Sequence, residues 1–166
     1  MSKAIVLYNS RTGNTKQIAM KIAEGLGIEC FDNKHIPDLE NYELIVVGSW
    51  MMAGKISFAG TRMLRKITRK SKNEKKVALF FTSGTPDVIH PTTANTTNPR
   101  KTKDLMFEQM ENIFHKNKKL TILPERCYSA GASRIFKNGK IIDGFGHPTE
   151  EELAQAQAFG KSLMKY

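Results

Sequence analysis

The sequence is poor in the features that crosslink a chain or anchor it in a membrane. It has only two cysteines, Cys30 and Cys127, which lie far apart and form neither a C-x-x-C pair nor a metal-ligand spacing. Two separated thiols are typical of a reduced protein, so we expect neither a disulfide framework nor a metal site. No apolar run approaches the roughly 20 residues of a membrane span, and the first residues lack the pattern of a secretory signal. These absences favour a cytoplasmic protein.

Acidic residues are scarce relative to basic ones, with 16 Asp and Glu against 26 Lys and Arg and a net charge of +10. The excess concentrates at residues 62–76, at Arg100, Lys101 and Lys103, and at residues 116–119. Such an excess bears on association, with nucleic acid, anionic membranes and acidic proteins as candidate partners. Nucleic acid is disfavoured, because residues 62–76 lack interleaved aromatics and any known reading motif. This stretch is either a solvated helix face or a docking surface for an acidic partner protein.

Apolar strand patterns alternate with amphipathic helix patterns along the chain. Near-continuous apolar strands between helices predict an α/β fold, a three-layer doubly wound parallel sheet with helices on both faces. The length of 166 residues, without repeats or a linker, predicts one domain over 1–166. The predicted strands cover 3–9, 28–32, 42–49, 75–83 and 119–123, and the predicted helices cover 14–26, about 57–70, about 101–117 and about 149–165.

The last third of the chain interrupts this alternation. Residues 133–143 predict a β-hairpin insertion, because Asn138 and Gly139 supply the positive φ angles of a tight turn. Thr149 and Glu152 have the spacing of a capping box, which predicts the start of the final helix.

Ligands of doubly wound sheets bind beyond the carboxyl ends of the strands, predicted here at 9–15, 48–58, 83–100 and 124–132. The first of these segments contains S-R-T-G-N-T, in which hydroxyls, a glycine and the start of a helix together favour an anion site. It is neither a Walker A loop nor a G-x-G-x-x-G turn. The alternative is an ordinary N-capped helix, with Thr12 or Asn14 as the cap.

The stretch V-L-Y-N-S-R-T-G-N-T resembles the FMN-phosphate loop of the flavodoxin family, whose pattern is roughly [ST]-x-T-G-x-T after the first strand. Residues 46–54 (V-V-G-S-W-M-M-A-G) are similar to the second flavin loop of that family, and residues 80–85 (F-F-T-S-G-T) to the third. The resemblance implies sheet order 2-1-3-4-5, noncovalent FMN and a redox function. It assigns the phosphate to Ser10, Arg11, Thr12, Gly13, Asn14 and Thr15, the ring to Ser49, Trp50, Met51 and Met52, and the pyrimidine end to Thr82, Ser83, Gly84 and Thr85.

Some of these assignments have alternatives. Trp50, expected to stack on the ring, could instead be half-buried packing, and Met51 and Met52 either line a flavin edge or belong to the core or a partner contact.

The sequence departs from the family pattern in two ways. Residues 84–100 contain no Phe, Tyr or Trp, so His90 is the only ring that could cover the outer flavin face. Without His90, the outer face is either open or covered by an aliphatic residue, and an open face would admit a quinone or nicotinamide substrate. Arg11 and Lys55 flank the first two loops, whereas flavodoxins tend to be acidic. We expect these cations to raise the hydroquinone potential and to make the semiquinone less stable than in acidic flavodoxins.

Three functional hypotheses follow. The leading one is an FMN-binding electron-transfer protein that serves redox partner proteins, of which acidic ones would suit the charge. The second is an FMN-dependent NAD(P)H/quinone reductase or related oxidoreductase, although no acid–base pair or nicotinamide motif is visible and no catalytic residue is assigned. The third is a domain that keeps the fold and binds another phosphate ligand or none. An electron carrier is favoured over an enzyme.

Overall fold

Strands and helices alternate along the chain in a computed structural model that describes residues 3–52, 54–131 and 146–166. The strands are β1 (Ala4–Asn9), β2 (Cys30–Asp32), β3 (Leu44–Met52), β4 (Lys55–Ile56), β5 (Lys75–Ser83) and β6 (Leu120–Ala130). The helices are α1 (Asn14–Leu26), α2 (Phe58–Lys70), α3 (Thr102–Phe114) and α4 (Glu150–Ser162), and a 3-10 turn follows at Leu163–Lys165.

The central sheet has the order β2-β1-β3-β5-β6, and all four pairings along it are parallel. The two-residue β4 pairs antiparallel with the end of β3, beside this path. With β4 left out of the count, the order is 2-1-3-4-5, so the predicted doubly wound fold is confirmed. The hairpin predicted at 133–143 lies outside the described residues.

Both faces of the sheet are buried, which explains the continuous apolar runs of the strands. Alternate side chains of β1 point to opposite faces, so that Ile5 and Leu7 join the core beneath α2 and α3 while Val6 joins the core beneath α1 and α4. On the second face α1 and α4 pack closely. A Cβ added at Gly160 would lie only 2.2 Å from the Ile22 carbonyl oxygen. Within the described ranges, no helix is both long and apolar enough to cross a membrane.

Two strands are longer than the sequence predicts. β3 continues to Met52, where the predicted loop 48–58 should already have begun, and the chain turns at Gly54 (φ 73°) into β4. β6 continues to Ala130, whereas the predicted strand ends at residue 123. Pro124 lies where the pairing of β5 with β6 shifts register, an irregularity that an edge strand tolerates. Residues 124–130 are therefore strand rather than loop.

Candidate functional site

The turn between β1 and α1 leaves the start of the helix without a side-chain cap. Gly13 occupies the N-cap position with φ 101°, and its N–H donates to Ser10 Oγ at 3.1 Å. The alternative in which Thr12 or Asn14 caps the helix is therefore wrong. The first N–H groups of an α-helix have no partner within the helix, and the dipole adds positive potential there. Space around Gly13 is open, since a Cβ there would meet nothing within 4 Å. This helix start can accept an anion.

Two buried side chains connect this turn to other strand ends. The Thr15 and Thr82 hydroxyls lie 2.8 Å apart and share a hydrogen bond, which joins α1 to the end of β5. Asn14 Nδ2 donates to the Gly131 carbonyl at 2.6 Å, which joins α1 to the end of β6. Arg11 and Thr12 are exposed. The last two residues of the turn are thus held by buried hydrogen bonds, whereas Arg11 and Thr12 remain accessible.

Trp50 lies near the end of β3 with its ring half-buried. Its Nε1–H donates to Asn9 Oδ1 at 3.2 Å, and the same amide oxygen accepts from Ser57 Oγ at 2.6 Å and from Gly60 N at 3.1 Å. The Asn9 nitrogen then donates to Asn33 Oδ1 at 3.3 Å, and this network of donors and acceptors sets the orientation of the amide. One edge of the indole is therefore held toward β1.

Arg11 lies over the Trp50 ring, with its Cζ 5.6 Å from the ring centroid. This distance is within the range of a cation–π contact. The contact links Arg11, in the exposed part of the first turn, to the second loop. Arg11 therefore brings its charge to the indole as well as to the helix start.

The other residues of the predicted ring-contacting segment divide between core and surface. Met51 is fully buried in the core beneath α2 and α3, whereas Met52 is 47% exposed. The side chain of Met51 therefore belongs to the core and does not line a flavin edge. Of the two methionines, only Met52 offers an apolar side chain at the surface. Ser49 is buried, and its Oγ lies 3.3 Å from Ser57 Oγ, so it joins the hydrogen-bond network around Asn9.

The third loop begins where β5 ends. Thr82 and Ser83 are buried, and Gly84 and Thr85 are exposed. Trp50 and Thr82 are paired residues of neighbouring strands, so the second and third segments are adjacent in the sheet.

The chain after the third loop folds back onto the start of α3. Lys103 Nζ lies 2.8 Å from Asp87 Oδ1 and 2.8 Å from the Tyr128 hydroxyl, and its hydrogen bond lowers the pKa of Asp87. His90 packs against the turn between β3 and β4. A Cβ added at Gly54 would lie only 2.1 Å from His90 Nε2. The single ring of this loop is thus directed to the turn that follows Trp50.

Glu152 organises the far side of the site, beside the Asn14–Gly131 contact. The predicted capping box with Thr149 is confirmed, and Glu152 also accepts from the Ala130 N–H at 3.0 Å and contacts His147 Nδ1 at 2.8 Å. Burial raises the pKa of this carboxyl, but the hydrogen bonds from Thr149, His147 and Ala130 outweigh it and hold the pKa below the usual value.

The structure therefore brings together all three predicted segments at one end of the sheet. Asn9 and Ser57, which hold Trp50, were not predicted. A signal was available for Asn9: an amide at the end of an apolar strand needs hydrogen-bond partners if it is buried. Charge at the site is positive, since residues 10–15, 46–54 and 80–85 contain no carboxylate and Arg11 and Lys55 are exposed.

Comparison with known proteins agrees with the fold. A family model described as a flavodoxin domain matches residues 5–120. An uncharacterized protein of Methanocaldococcus jannaschii is 31% identical, covering 98% of this chain and 99% of its own. The flavodoxin-like domain-containing protein BilS of Clostridioides difficile is 25% identical, with 98% and 96% covered. The structure of oxidised flavodoxin 1 from Bacillus cereus has a similar fold, with a TM-score of 0.65, 17% identity and 99% of each chain covered. The chain belongs to the flavodoxin family.

Proposed function

We propose that this chain binds FMN at the carboxyl ends of β1, β3 and β5 and transfers electrons between redox partner proteins in the cytoplasm as a single domain. The observation that carries the proposal is the junction of the three loops. The Thr15–Thr82 and Asn9–Trp50 hydrogen bonds hold together segments that are distant in sequence, beside a helix start without a side-chain cap.

The residues divide between the two ends of the cofactor. The N–H groups at the start of α1, with the hydroxyls of Ser10 and Thr12, would hold the phosphate, and Arg11 would add a positive charge. At the other end Trp50 would stack on the ring, Met52 would line its edge, and the backbone of 82–85 would contact the pyrimidine end. FMN supplies the redox chemistry when bound.

The positive charge of the site would tune the cofactor. A unit charge about 6 Å from a negative reduced ring interacts by about 3 kcal/mol at an effective dielectric near 20, and solvent reduces this for exposed groups. The sign is favourable to the reduced anion. We therefore expect Arg11 and Lys55 to make the hydroquinone potential less negative than in an acidic flavodoxin.

One observation favours an FMN-dependent NAD(P)H/quinone reductase as a second candidate. The 84–100 loop offers no large aromatic side chain and folds back onto α3, with His90 against Gly54. A substrate would then find the outer ring face accessible. Steady NAD(P)H oxidation by the purified chain with a quinone would select this enzyme. Electron transfer only after addition of a separate reductase would select the carrier.

The cofactor proposal is tested by titrating the purified chain with FMN. Trp50 is the only tryptophan, so its emission should be quenched together with that of FMN. Trp50→Leu should weaken binding about tenfold or more, a loss of at least 1.4 kcal/mol, because stacking is removed. Met20→Leu, on the exposed face of α1, is the matched control and should bind as the parent does. Absence of FMN binding by the parent chain would overturn the proposal.

A further inference from the structure

Exposed apolar side chains concentrate at the end of the sheet that carries the site. Four of the large apolar side chains that are exposed in the described residues lie at or just after strand ends: Met52 ends β3, Phe58 follows β4, and Val88 and Ile89 follow β5. Phe58 is the extreme case, at 95% exposure. Exposed apolar side chains that gather at one end of a molecule are typical of an interaction surface.

Phe58 is also adjacent to the network that holds Trp50. It is the first residue of α2, and the preceding residue, Ser57, caps the helix and donates to Asn9 Oδ1 at 2.6 Å. Asn9 in turn accepts from the Trp50 indole. A molecule that covers the Phe58 ring would therefore lie close to the residue proposed to stack on FMN.

The basic side chains of α2 carry charge that the fold leaves uncompensated. The helix contains Arg62, Arg65, Lys66, Arg69 and Lys70 and no acidic residue. None of these five forms an ion pair with a carboxylate of residues 3–52, 54–131 or 146–166.

Several basic side chains elsewhere are paired. Lys103 lies 2.8 Å from Asp87, Lys165 lies 2.6 Å from Glu125, and Arg126 lies 2.5 Å from Glu111. In α2, by contrast, five basic side chains on one helix have no such partner among the described residues, so their positive charge is concentrated on one surface.

A groove of about 670 Å³ runs between α2 and α3 and combines these two properties. We call it the α2–α3 groove. Its wall includes the side chains of Phe58, Arg62, Arg65, Arg69, Ile113 and Lys116. Aromatic and arginine side chains around a concave surface are the combination enriched in protein interfaces.

We propose that the α2–α3 groove is the docking site for an acidic segment of a redox partner protein, with Phe58 as its apolar anchor. The proposal rests on the proposed electron-transfer function and identifies the surface that would serve it. Carboxylates of the partner would pair with the arginines, and an apolar side chain would cover Phe58 and Ile113. Charge complementarity would accelerate the encounter, and burial of Phe58 would slow dissociation.

Two other occupants fit the groove less well. A second copy of this chain would bring its own net charge of +10 to the same positive surface. Nucleic acid would satisfy the arginines but would leave Phe58 and Ile113 without an apolar contact, unless a base stacked on Phe58.

The test uses a fluorescein-labelled peptide of alternating glutamates and leucines as the probe, with fluorescence anisotropy as the readout. Arg62→Glu/Arg65→Glu should weaken its binding about tenfold or more, and Phe58→Ser about fivefold. Lys34→Glu/Lys161→Glu makes the same change in net charge at exposed positions outside the groove and should weaken binding less than twofold. FMN titration of each variant should match the parent, which separates loss of the groove from loss of the cofactor site.

Three results would overturn the proposal. One is an equal loss of peptide binding in the two charge-reversed variants, since binding would then follow net charge alone. Another is tighter binding of a 20-base-pair DNA duplex than of the peptide at the same salt concentration. The last is a dimer in sedimentation that Phe58→Ser dissociates, because the occupant would then be a second copy. Failure of FMN binding with retained peptide binding would contradict the electron-transfer function and leave the groove as a protein-binding site.

Discussion

Replacing Asn9 by alanine should loosen Trp50 and destabilise the whole chain. Asn9 is 4% exposed, and its oxygen accepts from Ser57, Gly60 and Trp50. Without the amide, Ser57 Oγ can still turn to Ser49 Oγ at 3.3 Å, and the Gly60 N–H keeps Ser57 Oγ at 3.0 Å. The Trp50 indole N–H loses its acceptor.

The magnitude follows from these partners. Loss of one well-made hydrogen bond costs about 1 kcal/mol, and a buried donor left without an acceptor costs about 1–3 kcal/mol. Because two of the three donors keep a second partner and Trp50 is half-buried, we expect the free energy of unfolding to fall by about 2–3 kcal/mol. Weaker positioning of the indole should also reduce the affinity for FMN about tenfold, equivalent to 1.4 kcal/mol.

Urea unfolding monitored by tryptophan emission provides the assay, since the signal comes from Trp50 alone. Asn9→Asp retains an acceptor oxygen and should preserve the native emission maximum near neutral pH. Asn33→Ala removes only the partner of the amide nitrogen and should cost less than about 1 kcal/mol, because the site is half-buried. An Asn9→Ala protein with unchanged emission, FMN affinity and unfolding free energy would refute the reasoning.

Four further outcomes are expected. In a redox titration with FMN, Arg11→Gln should lower the hydroquinone potential, whereas dominance of the semiquinone at the midpoint of the parent would contradict the charge argument. Burial raises the pKa of the Cys127 thiol to about 12, so at pH 8 a disulfide reagent should modify Cys30 first and Cys127 only on unfolding; equal rates would contradict this. Glu152→Gln should cost about 1–2 kcal/mol at pH 7. Because the folded pKa of this carboxyl is lowered, the difference in unfolding free energy should persist above the unfolded pKa of about 4.3 and vanish as pH falls through the folded value. Gly160→Ala should lower Tm, because overpacking against a backbone carbonyl costs about 1–3 kcal/mol and the better helix propensity of alanine returns at most about 1 kcal/mol; an unchanged Tm would mean that α1 and α4 separate freely.

Features set by neighbouring residues were predictable from the sequence. The apolar runs, helical periodicities and the Thr149–Glu152 spacing each depend on a few adjacent positions, and they predicted the fold and the final helix correctly. The position of the turn at 10–15, between the first strand and the first helix, was predictable for the same reason, since its glycine and hydroxyls are contiguous. The alternative of a helix capped by Thr12 or Asn14 was wrong, because Gly13 occupies the N-cap position.

Features set by distant pairing were not predictable. β3 extends to Met52 because β4 returns to pair with it, and β6 extends past Pro124 because β5 continues alongside after a register shift. The Asn9–Ser57 contact joins residues 48 apart in the chain. The position of Asn9 at the end of an apolar strand indicated that its amide would need partners, but no local pattern identifies Ser57 and Trp50 as those partners. The residues that hold Trp50 were therefore absent from the predicted site.

The Thr15–Thr82 bond implies that the site is preorganised. It fixes the start of α1 against the end of β5 within the folded chain, and the Asn14–Gly131 bond adds a second tie. A ligand that bridges these elements would not have to bring them together, so little conformational entropy would be lost in the protein on binding. Free and bound forms should then share one backbone conformation around residues 10–15, and binding should raise thermal stability through mass action alone.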